Sequence, residues 1–357
     1  MLHGMRTLSS CAALVLLVSA CKDAPPPPPE AQLSTDLPEQ TIAIILSNVA
    51  RQGGPRGERI AGLGLGSSAL PPPARPLADG GMPPPPEPTT AKAPANGGDL
   101  RWDLEPYGAI AAAAKGELLE LPAAGADVPD LWRDPGGTWV AIGGRAQVLL
   151  IGSQPLGAHE PPQRFTALTE PWLKGQVALT APTSGAALAH FAALYQAWGE
   201  ERMNAWLDGL KKNEVQVLPS DAAVREAVVT GKAIVGLMGS DEAAKAAASA
   251  AKVQVVYPNQ HSIGTFVWPT ALSRPRNPAH PEAAQALAEK LADPAVEQLL
   301  VAREPGFLPL RAGIPVPPGV RSATGLVVVS VNPAKIVEEI NLRRDALKAW
   351  ADSATKK

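Results

Sequence analysis

The sequence predicts an α/β fold of mostly parallel sheets covered by helices, and two observations carry that prediction. From Asp99 to the C-terminus, short apolar segments alternate with Ala-rich helical ones. Such a β-α-β rhythm is what parallel strands need if helices are to cover both sheet faces. The chain also has 357 residues, 45% of them hydrophobic, enough for a large core and for about two domains.

The first twenty residues, MLHGMRTLSSCAALVLLVSA, join a short n-region charged only at Arg6 to an apolar run too short to span a bilayer comfortably. Residues 1–20 therefore read as a signal peptide. Leu17, Val18, Ser19, Ala20 and Cys21 read as a lipobox, in which small residues fit a peptidase and the Cys21 sulfur takes a diacylglyceryl group. An ordinary signal peptide that ends near a cysteine is the alternative. With Cys11 removed and Cys21 lipidated, the mature chain would hold no free thiol, disulfide, Cys-based metal site or Cys nucleophile.

Residues 21–39 contain PPPPPE, a polyproline tether that would hold a folded body off a membrane surface. TIAIILS (41–47), short, continuous and rich in Ile, predicts a buried strand. Residues 53–98 are dominated by Gly and Pro, which leaves no helical periodicity and predicts an irregular insertion. GLGLGSS (62–68) within it lacks the full glycine spacing and the following helix of a phosphate loop, and reads as a flexible loop.

Regular structure resumes at DLRWD (99–103). Residues 106–115 predict a helix, 138–152 two strand segments broken by glycine, and 175–180 a strand. Two helices follow over 186–198 and 200–211, the first with Leu188, Phe191, Leu194 and Trp198 as its apolar stripe. VQVLP, a helix over 221–230, AIVGLM, an Ala-rich helix from Asp241 and VQVVYP continue the alternation.

The stretch TAPTSGAALAHF (180–191) joins a strand to a helix, so Thr183, Ser184 and Gly185 stand at a helix N-terminus. Free N–H groups and the positive end of the helix dipole meet there and can receive an anion. Thr183 or Ser184 acting simply as an N-cap is the competing reading. His159, His190, His261 and His280 show no metal-ligand spacing, and His190 reads as packed in the core. No Ser-His-Asp order or paired carboxylates support a hydrolase. The formal net charge of −2 advertises no polyanion-binding surface, so nucleic acid is not an expected partner.

The segments LWRDPGGTWVAIGGRAQVLLIGSQ, LTEPWLKGQVALTAPTSGA, GEERMNAWLDGLKKN, VLPSDAAVREAVVTGKAIVGLMGSDEA, VYPNQHSIGTFVWPTAL and HPEAAQALAEKLADPAVEQLL together resemble the extracellular solute-binding proteins of ABC importers. More narrowly they are similar to the ferric-ion-binding branch of the two-lobed type 2 periplasmic-binding-protein fold, over about 99–318. The resemblance implies two α/β lobes joined by two crossing hinge strands, near 146–153 and 256–265, that close on a ligand. It divides the chain into a first part of lobe one (40–147), lobe two (148–256), and a second part of lobe one with the C-terminal helices (257–350). It places Thr183, Ser184, Gly185 and Ala186 as the cradle of an anion that helps bind a metal. Arg145 matches an arginine near the same cleft, with a surface or hinge salt bridge as the alternative, and Asp221 aligns with another polar cleft position.

Two departures stand out. Iron-binding relatives carry a tyrosine pair after the strand that GLM matches, whereas this chain has Asp241 and Glu242 there and only three tyrosines in all, Tyr107, Tyr195 and Tyr257. Phenolate-type ferric binding is therefore not expected. Asp241 and Glu242 remain either hard oxygen donors for a cation or acidic first-turn residues of their helix. The Pro/Gly-rich stretch 53–98 stands where relatives place a helix and a strand of lobe one.

The expectation is a non-enzymatic, monomeric lipoprotein on the periplasmic side of a bacterial envelope. It would bind a small anion or a metal–anion complex, with no certain cofactor, and deliver it to an ABC permease in the inner membrane. The alternative is a degenerate member of the fold serving as an envelope interaction or scaffold protein.

Overall fold

Strand β1 (Ala31–Thr35) opens the described part of the chain and is followed by α1 (Glu39–Arg51) and β2 (Gly57–Ala61). The structure, a computed structural model, describes residues 30–55, 57–61, 98–122, 124–249, 251–317 and 319–355. The signal peptide, Cys21, the PPPPPE segment, GLGLGSS and nearly all of the Pro/Gly-rich stretch lie outside the described residues.

Three expectations for this region are corrected. The tether does not extend to residue 39, because Ala31 and Leu33 are fully buried in a sheet. TIAIILS is helix rather than strand: Ile42, Ile45, Leu46 and Val49 are all buried and recur at helical spacing. They join Leu33, Leu100 and Trp102 in one core, and each such side chain contributes roughly 1.5–3 kcal/mol when fully buried. That tertiary gain outweighs the strand preference of a local Ile run. Finally, β2 puts regular structure at the start of the interval read as irregular.

The chain continues through β3 (Leu100–Asp103), α2 (Tyr107–Ala114), β4 (Leu118–Leu119) and β5 (Trp139–Val140). The middle region runs β6 (Gly144–Ile151), β7 (Val177–Thr180), α3 (Gly185–Trp198), α4 (Glu200–Lys212), β8 (Gln216–Leu218) and α5 (Asp221–Val229). It ends with β9 (Val235–Gly239), α6 (Ser240–Ala248) and β10 (Gln254–Val256). Then come β11 (Val267–Pro269), β12 (Ala271–Pro275), α7 (Pro281–Leu291), α8 (Pro294–Arg303) and the long α9 (Pro333–Thr355).

Two mixed sheets result, one per lobe. The first has the order β2-β1-β3-β12-β4 with β5 beside β12, and the second β10-β6-β9-β7-β8 with β11 beside β6. β1, β2 and β3 are parallel, as are β7, β8 and β9, while β12 and β6 run antiparallel to their neighbours.

The chain leaves the first sheet after Val140, enters the second at Gly144, and returns between Pro269 and Ala271. The crossings therefore lie a few residues from the expected 146–153 and 256–265, since β6 and β11 already pair with each other inside the second sheet. Thr270 clamps them together. Its hydroxyl donates to the Ile142 carbonyl at 2.8 Å and accepts from the Trp102 indole N–H at 3.0 Å, and its N–H donates to the Gly143 carbonyl at 3.0 Å.

Helix α9 packs on α3, with Leu347 and Ala351 buried in the lobe-two core. The Trp350 indole N–H donates to the Leu207 carbonyl at 3.1 Å, and Arg343 pairs with Glu200 at 3.0 Å. The C-terminal helix thus packs mainly on lobe two through α3, while Val337 near its start also touches the α2 cluster of lobe one.

Candidate ligand cleft

Helix α3 begins without a side-chain cap of its own. Ser184 takes the extended N-cap backbone (φ −161°, ψ 171°) but makes no capping side-chain bond, and Gly185 follows at φ +56°. The group that meets this N-terminus comes from the other lobe. Glu105, in the turn between β3 and α2, brings its carboxylate up to the Gly185–Ala186 backbone. A Cβ on Gly185 would stand 3.2 Å from Glu105 Oε1 and 3.8 Å from Oε2, so the missing side chain is what lets the carboxylate in. The pole expected to hold an anion holds a carboxylate of the chain itself.

Arg145 projects from β6 into the same seam. Its Nη1 donates to Asp241 Oδ2 at 3.2 Å and its Nη2 to the Leu104 carbonyl at 3.4 Å. The guanidinium lies over Trp268, 5.1 Å from the ring centroid, and 5.6 Å from that of Phe307. Both sequence readings of Arg145 hold at once: it is a cleft residue and it makes a salt bridge there. Its Nε and Asp241 Oδ1 are buried and have no hydrogen-bond partner.

Asp221 is tied on both oxygens. Oδ1 accepts from the Thr180 hydroxyl and Oδ2 from the Gly239 N–H at 2.8 Å, which pins the start of α5 to the β9–α6 turn. Gly239 leaves room for two acids, since a Cβ there would lie 2.5 Å from Asp241 Oδ1 and 2.8 Å from Asp221 Oδ2.

The seam is rich in carboxylates that burial makes reluctant to ionise. Burial pushes Glu105 up to about 7 against the attraction of Arg145, with Asp36 and Asp221 adding repulsion. Asp221 is raised to about 6, first by burial and then by Asp241. Asp103 also rises to about 6 by burial, although Arg101 pairs with it at 3.2 Å. Asp36, which accepts the Leu104 N–H at 2.6 Å, is raised by burial too. The Tyr107 hydroxyl is buried without a partner, and its titration is pushed up by burial and then by Glu105.

A profile of the bacterial extracellular solute-binding proteins matches residues 112–320. The chain belongs to that family. Iron uptake protein A1 of Synechocystis sp. is 29% identical over 233 residues, 62% of this chain, and the chain spans 62% of that relative's length. Among solved structures, iron-bound HitA from Pseudomonas aeruginosa superposes with a TM-score of 0.71 at 20% identity, covering 90% of this chain and 99% of that one. The Trichodesmium protein IdiA (FutA), in complex with iron and citrate ligands, gives 0.68 at 18% identity, covering 92% and 100%. At these identities the structures establish the shared two-lobed type 2 periplasmic-binding-protein fold.

In this solute-binding protein the sequence-derived candidates separate. Ala186, Gly185, Arg145, Asp221 and Asp241 come together at the seam, with Thr183 and Ser184 on the turn that leads into α3. Glu242 does not join them: it pairs with Arg225 at 2.8 Å and Lys245 at 2.5 Å, bracing α5 against α6. Of the two readings of this pair, first-turn acids or joint cation donors, the structure has both in the first turn of α6 and bonded to different partners. Among the described residues no group of three or more His, Cys, Asp or Glu side chains is arranged to hold a metal ion. His190 is fully buried between Phe165, Phe191 and Phe266, as a core residue.

Glu105 is not singled out in the sequence, where only the helix over 106–115 that follows it is predicted. The available signal was Pro106: the residue before a proline is held extended, here on the lobe-one side of the seam.

Proposed function

We propose that this protein captures a small solute bearing a carboxylate or similar oxyanion, free or as the counter-ion of a metal, in the cleft between its lobes. Thr183, Ser184, Gly185 and Ala186 form the receiving pole and Arg145 supplies the balancing charge. The observation that carries this reading is the Glu105 carboxylate already seated against the Gly185–Ala186 backbone at the start of α3. A pole that holds Glu105 has the donors and the space for an equivalent group on a solute.

The protein acts as the binding component of an ABC-type importer and hands its solute to an inner-membrane permease, without catalysis. The lipobox at 17–21 supports attachment through Cys21 on the periplasmic side, and no helix among the described residues is long and apolar enough to cross a membrane. The names of the relatives, which include an iron uptake protein and a complex with iron and citrate, favour a metal–anion complex as cargo. The carboxylates around the pole would then face the metal.

Thermal unfolding of the mature chain against iron(III) citrate, citrate, carbonate, phosphate and iron salts tests this. Stabilisation by at least one oxyanion, growing with concentration, is the expected result. A flat response at millimolar concentration of all of them would sink it. One observation favours the scaffold alternative: the lobes already engage through Glu105 and Ala186, Arg145 and Leu104, and Ser240 and Gly306. A flat response would select that reading.

A further inference from the structure

We propose that Glu105 is a resident substitute for the solute: it occupies the α3 pole when the cleft is empty and must leave before an anion can bind there, so it sets which anions enter and how tightly. The inference rests on the cleft reading above and adds a specificity-determining residue to it.

Position comes first. Glu105 reaches the pole from lobe one, whereas Ala186 and Gly185 belong to lobe two, so their contact exists only with the lobes together. Both carboxylate oxygens stand within 3.8 Å of where a Gly185 side chain would begin, the place a solute oxyanion needs. Two anions cannot share one helix terminus, because like charges at contact distance repel strongly in a partly buried site.

The surroundings sharpen the competition. Arg145 attracts Glu105 from β6, Asp36 repels it from the end of β1, Asp221 repels it from α5, and the Tyr107 hydroxyl lies within its field. With Glu105 displaced, Arg145, still paired with Asp241, directs its attraction to the incoming group. A solute with a single weak oxyanion gains little over the carboxylate it evicts. A polycarboxylate, or an anion that carries its own metal, brings added interactions and can pay that exchange. Glu105 thereby acts as a filter against small monoanions such as acetate.

The test is isothermal titration of the mature protein with citrate, acetate and iron(III) citrate, for the wild type, Glu105→Gln and Glu105→Ala. Removing the competitor should tighten citrate by about tenfold or more, the worth of one charge-assisted hydrogen bond. It should also bring acetate binding into range, with Glu105→Gln intermediate because its amide keeps the side chain's size at the pole without the charge. The ratio of citrate affinity at pH 6 to that at pH 8 should be larger in the wild type than in Glu105→Ala, where Asp221, Asp103 and citrate's own last ionisation still titrate. If the wild type binds citrate and Glu105→Ala binds it no tighter, Glu105 is not a competitor and the cleft reading survives. If neither the wild type nor either variant binds any of the three, both the competitor and the cleft reading fail. Circular dichroism and thermal unfolding confirm that each variant is folded.

Discussion

The Ser240 hydroxyl donates to the Gly306 carbonyl at 2.7 Å while accepting the Ala146 N–H at 3.0 Å, so one side chain ties the start of α6 both to β6 and to the loop after α8. Gly306 sits at φ +78°, and a Cβ there would come within 2.2 Å of the Ser240 carbonyl oxygen. The lobes meet backbone to backbone at this point. Gly306→Ala combines a disfavoured dihedral with a clash that no side-chain rotation relieves. It should cost about 2 kcal/mol or more and hold the lobes apart. Thermal unfolding together with a larger radius of gyration in small-angle scattering checks both.

Arg145→Ala should be worse than an ordinary surface truncation. Its side chain is 12% exposed, and its loss leaves Asp241, 24% exposed, facing Trp268 and Asp221 without a cation. A loss of roughly 2–3 kcal/mol is expected, below the full penalty for breaking a deeply buried pair because both groups retain some solvent. Urea titration of Arg145→Ala and of the double variant with Asp241→Asn should show the second change recovering part of the loss.

His190 gives a pH dependence of opposite sign to the cleft acids. Burial lowers it to about 3, and both ring nitrogens lack a hydrogen-bond partner. The unfolded chain takes up a proton near pH 6.5 and the folded chain does not, so stability present above that pH is lost as pH falls towards 3. At pH 5 the loss is roughly 2 kcal/mol relative to pH 7. His190→Phe should remove that slope with little cost at pH 7, as measured by urea unfolding at both pH values.

The cleft carboxylates run the other way. Glu105, raised to about 7, and Asp103 and Asp221, raised to about 6, hold protons in the joined lobes that they would release in water. Their contribution is present below about pH 4 and is lost as pH rises through 6 to 7. The ligand-free protein should open as pH climbs from 5 to 8, and Glu105→Gln should flatten that change in scattering.

Much of the middle of the chain was legible because its elements are buried on repeating periods. β7 and β9 are short, largely apolar runs, β6 ends in one at 148–151, and the Leu188, Phe191 and Leu194 stripe marks α3. α1 was misread because Ile42, Ile44, Ile45 and Leu46 form a run too short to separate helix from strand. The deciding repeat, on to Val49, extends beyond it. At the site, the helix terminus and Arg145 were visible as local motifs. Glu105 was not, since its role depends on a partner 81 positions along the chain, Ala186, brought near only by the two crossings. Glu242 looked equivalent to Asp241 in sequence. One step along α6 turns it towards Arg225 and away from the seam.

The crystal structure of the mature protein grown with iron(III) citrate tests the central claim most directly. The account predicts a citrate carboxylate at the Ala186 N–H beside Arg145, with Glu105 swung out of the pole. Citrate bound elsewhere, or Glu105 still seated against Gly185 and Ala186 in a protein saturated with the complex, would contradict it.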